Sequence, residues 1–215
     1  MTPDKPRVLL ADDHTMFLAG LCSLLESEFE LVGTAEDGRA LLAAAPELQP
    51  EVVILDITMP LLNGIEAARQ LRKSAPETKI IFLTMHVERA FIREAFRAGA
   101  SGYVLKSSAP SELVTAIREV LRGRAYVTPM ITKKMLDVWL EAGPEPEKLL
   151  PDLTPRQREV LQLVAEGHSV KQIASLLAIS PKTVEFHKYR IMDELSVHSV
   201  AQLTQYAIRH GMISS

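Results

Sequence analysis

Three acids, one threonine and one lysine stand where side chains can do chemistry. Asp12 and Asp13 follow the apolar run at 8–11, and Asp56 follows Val52-Val53-Ile54-Leu55. Thr84 closes the run at 80–83, and Lys106 follows the run at 102–105. An acid at the end of a buried strand needs a partner that neutralises it. Three carboxylates a few ångströms apart repel strongly at low effective dielectric. A cation relieves that repulsion, and all-oxygen ligands favour a hard ion such as Mg²⁺. Lys106 offers a point charge for a phosphoryl oxygen, and the Thr84 hydroxyl offers a hydrogen bond to another.

Each of these residues also has an ordinary role. An Asp pair after a strand caps helices, a single Lys is solvated surface, and Thr suits strands. Their joint placement is what carries information. All five fall at the C-terminal ends of candidate strands one, three, four and five, and ligands bind at that edge of an open α/β sheet.

The elements that must position them alternate in period. Apolar runs at 8–11, 31–35, 52–55, 80–83 and 102–105 are separated by helical patterns at 16–29, 39–45, 64–74, 88–98 and 111–122. That alternation predicts a parallel sheet of βα units with right-handed crossovers. The pattern breaks near Gly123. A helix is expected at 129–141 with Pro129 in its first turn, and Gly143-Pro144-Glu145-Pro146-Glu147-Lys148 has linker composition. The expected division is 1–125, 126–150 and 151–215.

Beyond Leu153 every element reads as helix. Thr154-Pro155-Arg156-Gln157 is a capping box with proline at the first helical position. Further helices are expected at 170–177, from Ser180-Pro181 to about Leu195, and at 199–209. The second and third, joined by a short turn, have a helix-turn-helix layout. The second helix of such a pair enters the DNA major groove, and here its polar face offers Lys182, Thr183, His187, Lys188, Tyr189 and Arg190. Ala174, Leu177, Ile179, Val184 and Ile191 are expected to hold the two helices together. Seven Lys and Arg face six Asp and Glu across 151–215, so charge alone gives little sign of nucleic-acid binding.

Composition bounds the rest. The 215 residues are 47% apolar and 24% charged with a net charge of -3, typical of a globular protein. Cys22 is the sole cysteine, which excludes an intrachain disulfide and a cysteine-based zinc framework. The N-terminus lacks the pattern of a signal peptide, and no apolar run approaches the ~18 residues of a membrane span. The cytoplasm is the expected location, with no membrane partner.

Residues 7–122 resemble the receiver domain of two-component response regulators. The match rests on Asp12-Asp13, Asp56-x-x-x-Pro60-x-x-x-Gly64, Thr84 and Lys106. The resemblance implies a flavodoxin-like, five-stranded α/β domain whose Asp56 takes a phosphoryl group from a sensor histidine kinase or a small phosphodonor. It implies Mg²⁺ held by Asp13, Asp56 and the Thr58 backbone carbonyl, with Asp12 acting through water. Tyr103 is either a partly exposed strand aromatic or, as the resemblance implies, a switch residue that moves with Thr84. Phosphoryl transfer needs mainly positioning and charge stabilisation, which suits such a site. An aspartyl-phosphate hydrolase of small phosphates is the alternative. It would need a second Asp two residues after the nucleophile, and that position is Thr58.

Residues 153–213 resemble the LuxR-type DNA-binding domain through Leu153–Leu161, Ile173-Ala174 and Ser180–His187. Together the two halves resemble the NarL/FixJ class. These are DNA-binding transcriptional regulators, not enzymes, that dimerise on activation and bind paired half-sites of double-stranded DNA. The resemblance directs Lys182, Thr183, Glu185, Phe186, His187, Lys188 and Arg190 toward DNA. Three residues depart from the family pattern: Gln157 for Glu, Glu194 for Lys and Ser196 for Gly. Ser in a left-handed turn costs about 0.5–1 kcal/mol more than Gly, and losing the Lys removes a potential phosphate contact.

Overall fold

A computed structural model describes residues 5–133 and 153–213. The N-terminal half is a parallel sheet in the order β2-β1-β3-β4-β5-β6. Its strands are β1 (Arg7–Ala11), β2 (Glu30–Ala35), β3 (Val52–Leu55), β4 (Lys79–Thr84), β5 (Gly102–Leu105) and β6 (Tyr126–Val127). The helices between them are α1 (Thr15–Leu25), α2 (Gly38–Leu48), α3 (Gly64–Ser74), α4 (Arg89–Arg97) and α5 (Ala109–Leu121).

The sheet has one strand more than expected. β6 pairs parallel with β5, Gly102 against Tyr126 and Tyr103 against Val127. Two residues are too few to show a strand period, so sequence gave no sign of it. β6 carries the sheet two residues into the segment expected to be linker. The helix α2 also outruns its expected end and contains Pro46. The proline removes one hydrogen bond, and α2 stops soon after at Gln49, whose φ is +40°.

Every residue of β3 and β5 is buried, as a strand covered on both faces must be. On one face Leu9, Val53, Leu55 and Phe82 meet Leu41 of α2, Leu71 of α3 and Ile92 of α4. On the other, Val8, Leu10, Ile54 and Ile81 meet Leu18 and Leu21 of α1 and Leu113 and Ile117 of α5. Each fully buried Leu, Ile or Val contributes about 1.5–3 kcal/mol. The strand ends that carry the acids therefore sit on a rigid support.

The C-terminal half is helical: α6 (Pro155–Ala165), α7 (Val170–Leu176), α8 (Pro181–Glu194) and α9 (Val200–Arg209). Four hydroxyl caps begin them. Thr154, Ser169, Ser180 and Ser199 each accept from the backbone N–H three residues on. Leu161, Ile173, Val184, Ile191 and Leu203 share one core. A helix also opens at Pro129. The rest of the helix expected at 129–141, and the linker at 143–148, lie outside the described residues. Among the described residues, no helix is long and apolar enough to cross a membrane.

The three departures have structural accounts. Ser196 adopts φ +52°, the left-handed conformation expected of that position. Gln157 completes the capping box, its Oε1 accepting from Thr154 N at 2.7 Å. Its Nε2 donates to Glu194 Oε2 at 2.8 Å, so two of the departures are partners.

The halves pack together through α6. Val160, Leu161, Gln162, Leu163 and Val164 are all buried, which requires cover on every side of the helix. The C-terminal core covers one side, and the β3–α3 loop and α3 cover the other.

Candidate phosphoacceptor site and DNA-binding surface

The strand order reverses between β1 and β3, and ligands bind at the carboxyl ends of strands at such a switch point. Asp12, Asp13 and Asp56 lie there. With His14 they bring ligand atoms within 4.8 Å of one another. Asp12 and Asp56 are buried, and Asp13 and His14 face solvent. His14 directly follows the acid pair in sequence and joins the cluster. Its Nδ1 lies 3.0 Å from Asp12 Oδ1 and 2.9 Å from Asp13 Oδ1.

Lys106 spans the two buried acids. Its Nζ is 2.7 Å from Asp12 Oδ2 and 2.9 Å from Asp56 Oδ2. It also stands 5.1 Å from the centre of the Phe17 ring, a cation–π distance. Burial opposes the Lys106 charge, but Asp56 and Asp12 outweigh it and hold its pKa above the ordinary lysine value. Burial pushes the Asp56 carboxyl up to about 6, against the pull of Lys106 and with a smaller push from Asp12. Asp56 Oδ1 accepts from Ile57 N at 2.7 Å.

Gly64 explains its place in the Asp56-to-Gly64 spacing. A Cβ there would fall 1.9 Å from the Asp56 carbonyl oxygen, so any side chain would push the start of α3 off the end of β3.

Thr84 and Tyr103 are both buried, each with no measurable exposure. Tyr103 is therefore not the partly exposed aromatic that its strand position allowed. Its hydroxyl donates to the His86 carbonyl at 3.1 Å, and burial raises its pKa. Thr84 Oγ1 accepts from His86 N at 3.3 Å. His86 thus links two expected switch residues through its own backbone. Its Nε2 lies 2.9 Å from Thr58 Oγ1, and its ring stacks on Phe91 with centroids 4.0 Å apart. Sequence reasoning missed His86, since a lone His two residues past a strand carries no signal of its own.

In the C-terminal half, α8 turns Val184 and Ile191 inward. Lys182, Glu185, Phe186, Tyr189 and Arg190 are exposed, and Thr183, His187 and Lys188 are half-buried. Phe186 and Tyr189 are each 61% exposed, large aromatic groups held within one turn of α8. Lys188 Nζ lies 5.0 Å over the Tyr189 ring, and Arg190 pairs with Glu194 at 3.7 Å. Of the residues expected to face DNA, Lys182, Glu185, Phe186 and Arg190 are thus exposed, while Thr183, His187 and Lys188 are partly covered.

A flavodoxin-like sheet with an acid cluster and a lysine at its switch point, joined to a helix-turn-helix, defines a regulator with a receiver half and a DNA-binding half. Residues 8–118 match the response regulator receiver domain, and residues 151–207 match the bacterial regulatory proteins of the luxR family. The chain is 36% identical over 211 residues to Response regulator GacA of Pseudomonas protegens, covering 97% of this chain and 98% of GacA. It is 36% identical over 210 residues to Response regulator UvrY of Escherichia coli, covering 97% and 96%. It also resembles the solved structure of RcsB from Salmonella enterica serovar Typhimurium bound to a promoter in the presence of a phosphomimetic. That match has 30% identity and a TM-score of 0.59, covering 94% of this chain and 98% of RcsB. The chain belongs to the two-component response regulators of the NarL/FixJ class, with a receiver domain and a LuxR-type domain.

Proposed function

We propose that Asp56 accepts the phosphoryl group of a phosphohistidine on a sensor histidine kinase, and that this controls dimeric binding of α8 to paired DNA half-sites. An Asp56 oxygen forms a bond to phosphorus as the phosphorus–nitrogen bond breaks. The imidazole leaves with the electron pair and takes a proton from solvent. Lys106 meets the charge on the transferred group, and Thr84 hydrogen-bonds one of its oxygens. The observation that carries this reading is Lys106 held within 2.9 Å of both buried acids at the switch point.

The carboxylates fit a hard divalent ion. Asp12, Asp13 and Asp56, with the Thr58 backbone carbonyl, would hold Mg²⁺, which supplies charge neutralisation at the phosphoryl oxygens. The receiver's own groups form and lose the aspartyl phosphate, which makes the site a switch. A phosphate-ester hydrolase reading lacks its acid: residue 58 is Thr, and its hydroxyl is engaged by His86. The chain acts in the cytoplasm in this reading. Lys182, Thr183, Glu185, Phe186, His187, Lys188 and Arg190 contact DNA, and the RcsB–promoter structure supports that use of the same half.

The test is DNA affinity and dimerisation with and without acetyl phosphate and Mg²⁺, in wild type and Asp56→Asn. The wild type gains affinity and dimerises, and Asp56→Asn does neither. An equal response in both proteins rejects the proposal.

A further inference from the structure

Among the described residues, Phe186 and Tyr189 are the only Phe and Tyr side chains that face solvent; all the others are buried or half-buried. They stand three residues apart on α8, so one turn carries both. Val184 and Ile191 are buried, and they fix how the helix is rotated. At about 100° per residue, Lys182, Phe186, Tyr189 and Asp193 lie within about 30° of the line opposite those two. The outermost stripe of α8 is thus aromatic at its middle, with a cation one turn before and an acid one turn after.

The charges along α8 say what that stripe meets. The helix opens with the Ser180 cap and has no acid in its first turn, so its N-terminal N–H groups favour an anion such as a phosphate. Glu185 is exposed beside Phe186. Phosphates repel it, so the turn that carries it lies over base edges, where a cytosine amino group can donate to it. Asp193 is exposed too and keeps the last turns of α8 away from the phosphate backbone. The stretch that enters the groove runs from Lys182 to Tyr189, as the N-terminal part of such a helix does.

At the centre of that stretch Phe186 has neither donor nor acceptor. A ring with no hydrogen bond to offer cannot tell bases apart by their polar edges. The apolar group that base pairs present in the major groove is the C5-methyl of thymine. Both rings also have a neighbour that limits their motion. His187 meets Phe186 edge-on with centroids 5.8 Å apart, and Lys188 Nζ stands 5.0 Å over Tyr189. A side chain already restrained loses less freedom on binding. A protein surface is the other occupant that suits an exposed aromatic pair; the acid-free, capped N-terminus and the helix-turn-helix layout favour DNA.

We propose that Phe186, with Tyr189 beside it, selects thymine through contact with its C5-methyl group. The half-sites are then specified in part by methyl groups, and not by hydrogen bonds alone. The inference rests on α8 being the helix that reads DNA, and it names the feature of DNA that is read.

The full-length chain, with acetyl phosphate and Mg²⁺ and without them, selects duplexes from a random-sequence pool, and the bound sites are sequenced. Each thymine fixed in the half-site is then replaced by deoxyuridine, which lacks only the methyl. At one or two of these positions wild type is expected to lose about fourfold in affinity for each methyl removed. Phe186→Ala and Tyr189→Ala bind the thymine site more weakly, and each no longer distinguishes thymine from deoxyuridine at the position its ring serves. Phe186→Leu, which keeps an apolar side chain, retains part of the discrimination. If wild type binds deoxyuridine and thymine sites equally at every position, the methyl reading fails while DNA binding stands. It fails equally if the deoxyuridine loss persists unchanged in both alanine variants. Alanine variants with wild-type affinity for the thymine site assign the aromatic pair to a protein surface and reject the proposal. If no duplex is selected in either condition, the DNA-binding reading fails and this inference fails with it.

Discussion

The Tyr103 hydroxyl donates to the His86 carbonyl at 3.1 Å. The His86 N–H donates to Thr84 Oγ1, so one peptide segment after β4 is held by a residue from β4 and a residue from β5. The His86 ring then lies on Phe91 of α4. Thr84 is thus joined through His86 to the start of α4.

Tyr103→Phe removes that bond and little else. We expect a loss of about 0.5–1.5 kcal/mol in urea unfolding, and a smaller gain in DNA affinity on phosphorylation. Labelling of Asp56 should keep its wild-type rate. A variant that labels slowly yet keeps the full DNA response would place Tyr103 in the acceptor chemistry instead.

Burial raises the Asp56 pKa to about 6, against an unfolded value of roughly 3.9. The folded chain therefore holds the extra proton between those values. Stability from this group falls as pH rises through that window and stays lost above it. Asp56→Asn has no such group. In Mg²⁺-free buffer its stability relative to wild type should rise between pH 4 and pH 7 by on the order of 2 kcal/mol. A difference that is flat in pH, from urea midpoints taken at each pH, would show that the carboxylate is not strained by burial.

Gln157 and Glu194 replace the family's usual Glu and Lys, and they meet as donor and acceptor at 2.8 Å. Gln157→Glu keeps the capping box but sets two carboxylates face to face. We expect it to cost about 1–3 kcal/mol, and Glu194→Lys added to it should restore stability. If the single change is silent in thermal unfolding, the two positions are independent. Glu194 is thus explained by its hydrogen bond from α6 to α8.

Much of this was legible from local pattern. Asp12, Asp56, Thr84 and Lys106 each end an apolar run, and parallel strands bring their ends to one edge. The caps Thr154, Ser180 and Ser199 are likewise written in consecutive residues. What was not legible depends on distance along the chain. β6 has no period to read, and the role of His86 needs the position of Tyr103, 17 residues on. Gln162 did leave a trace: it is a polar residue inside the run Val160-Leu161-Gln162-Leu163-Val164. A helix with no solvent side over five residues must be covered twice.

Receiver and DNA-binding halves are often thought of as interchangeable cassettes. Leu61 argues otherwise here. It sits in the N-terminal half with φ +63° and packs against the hydrophobic core of the C-terminal half. A chimera that grafts residues 153–213 onto a foreign receiver loses that contact and leaves the Gln162 carboxamide without its Asn63 and Met59 partners. Descent by domain shuffling would have to carry the loop after Asp56 along with the helices, or remake it afterwards.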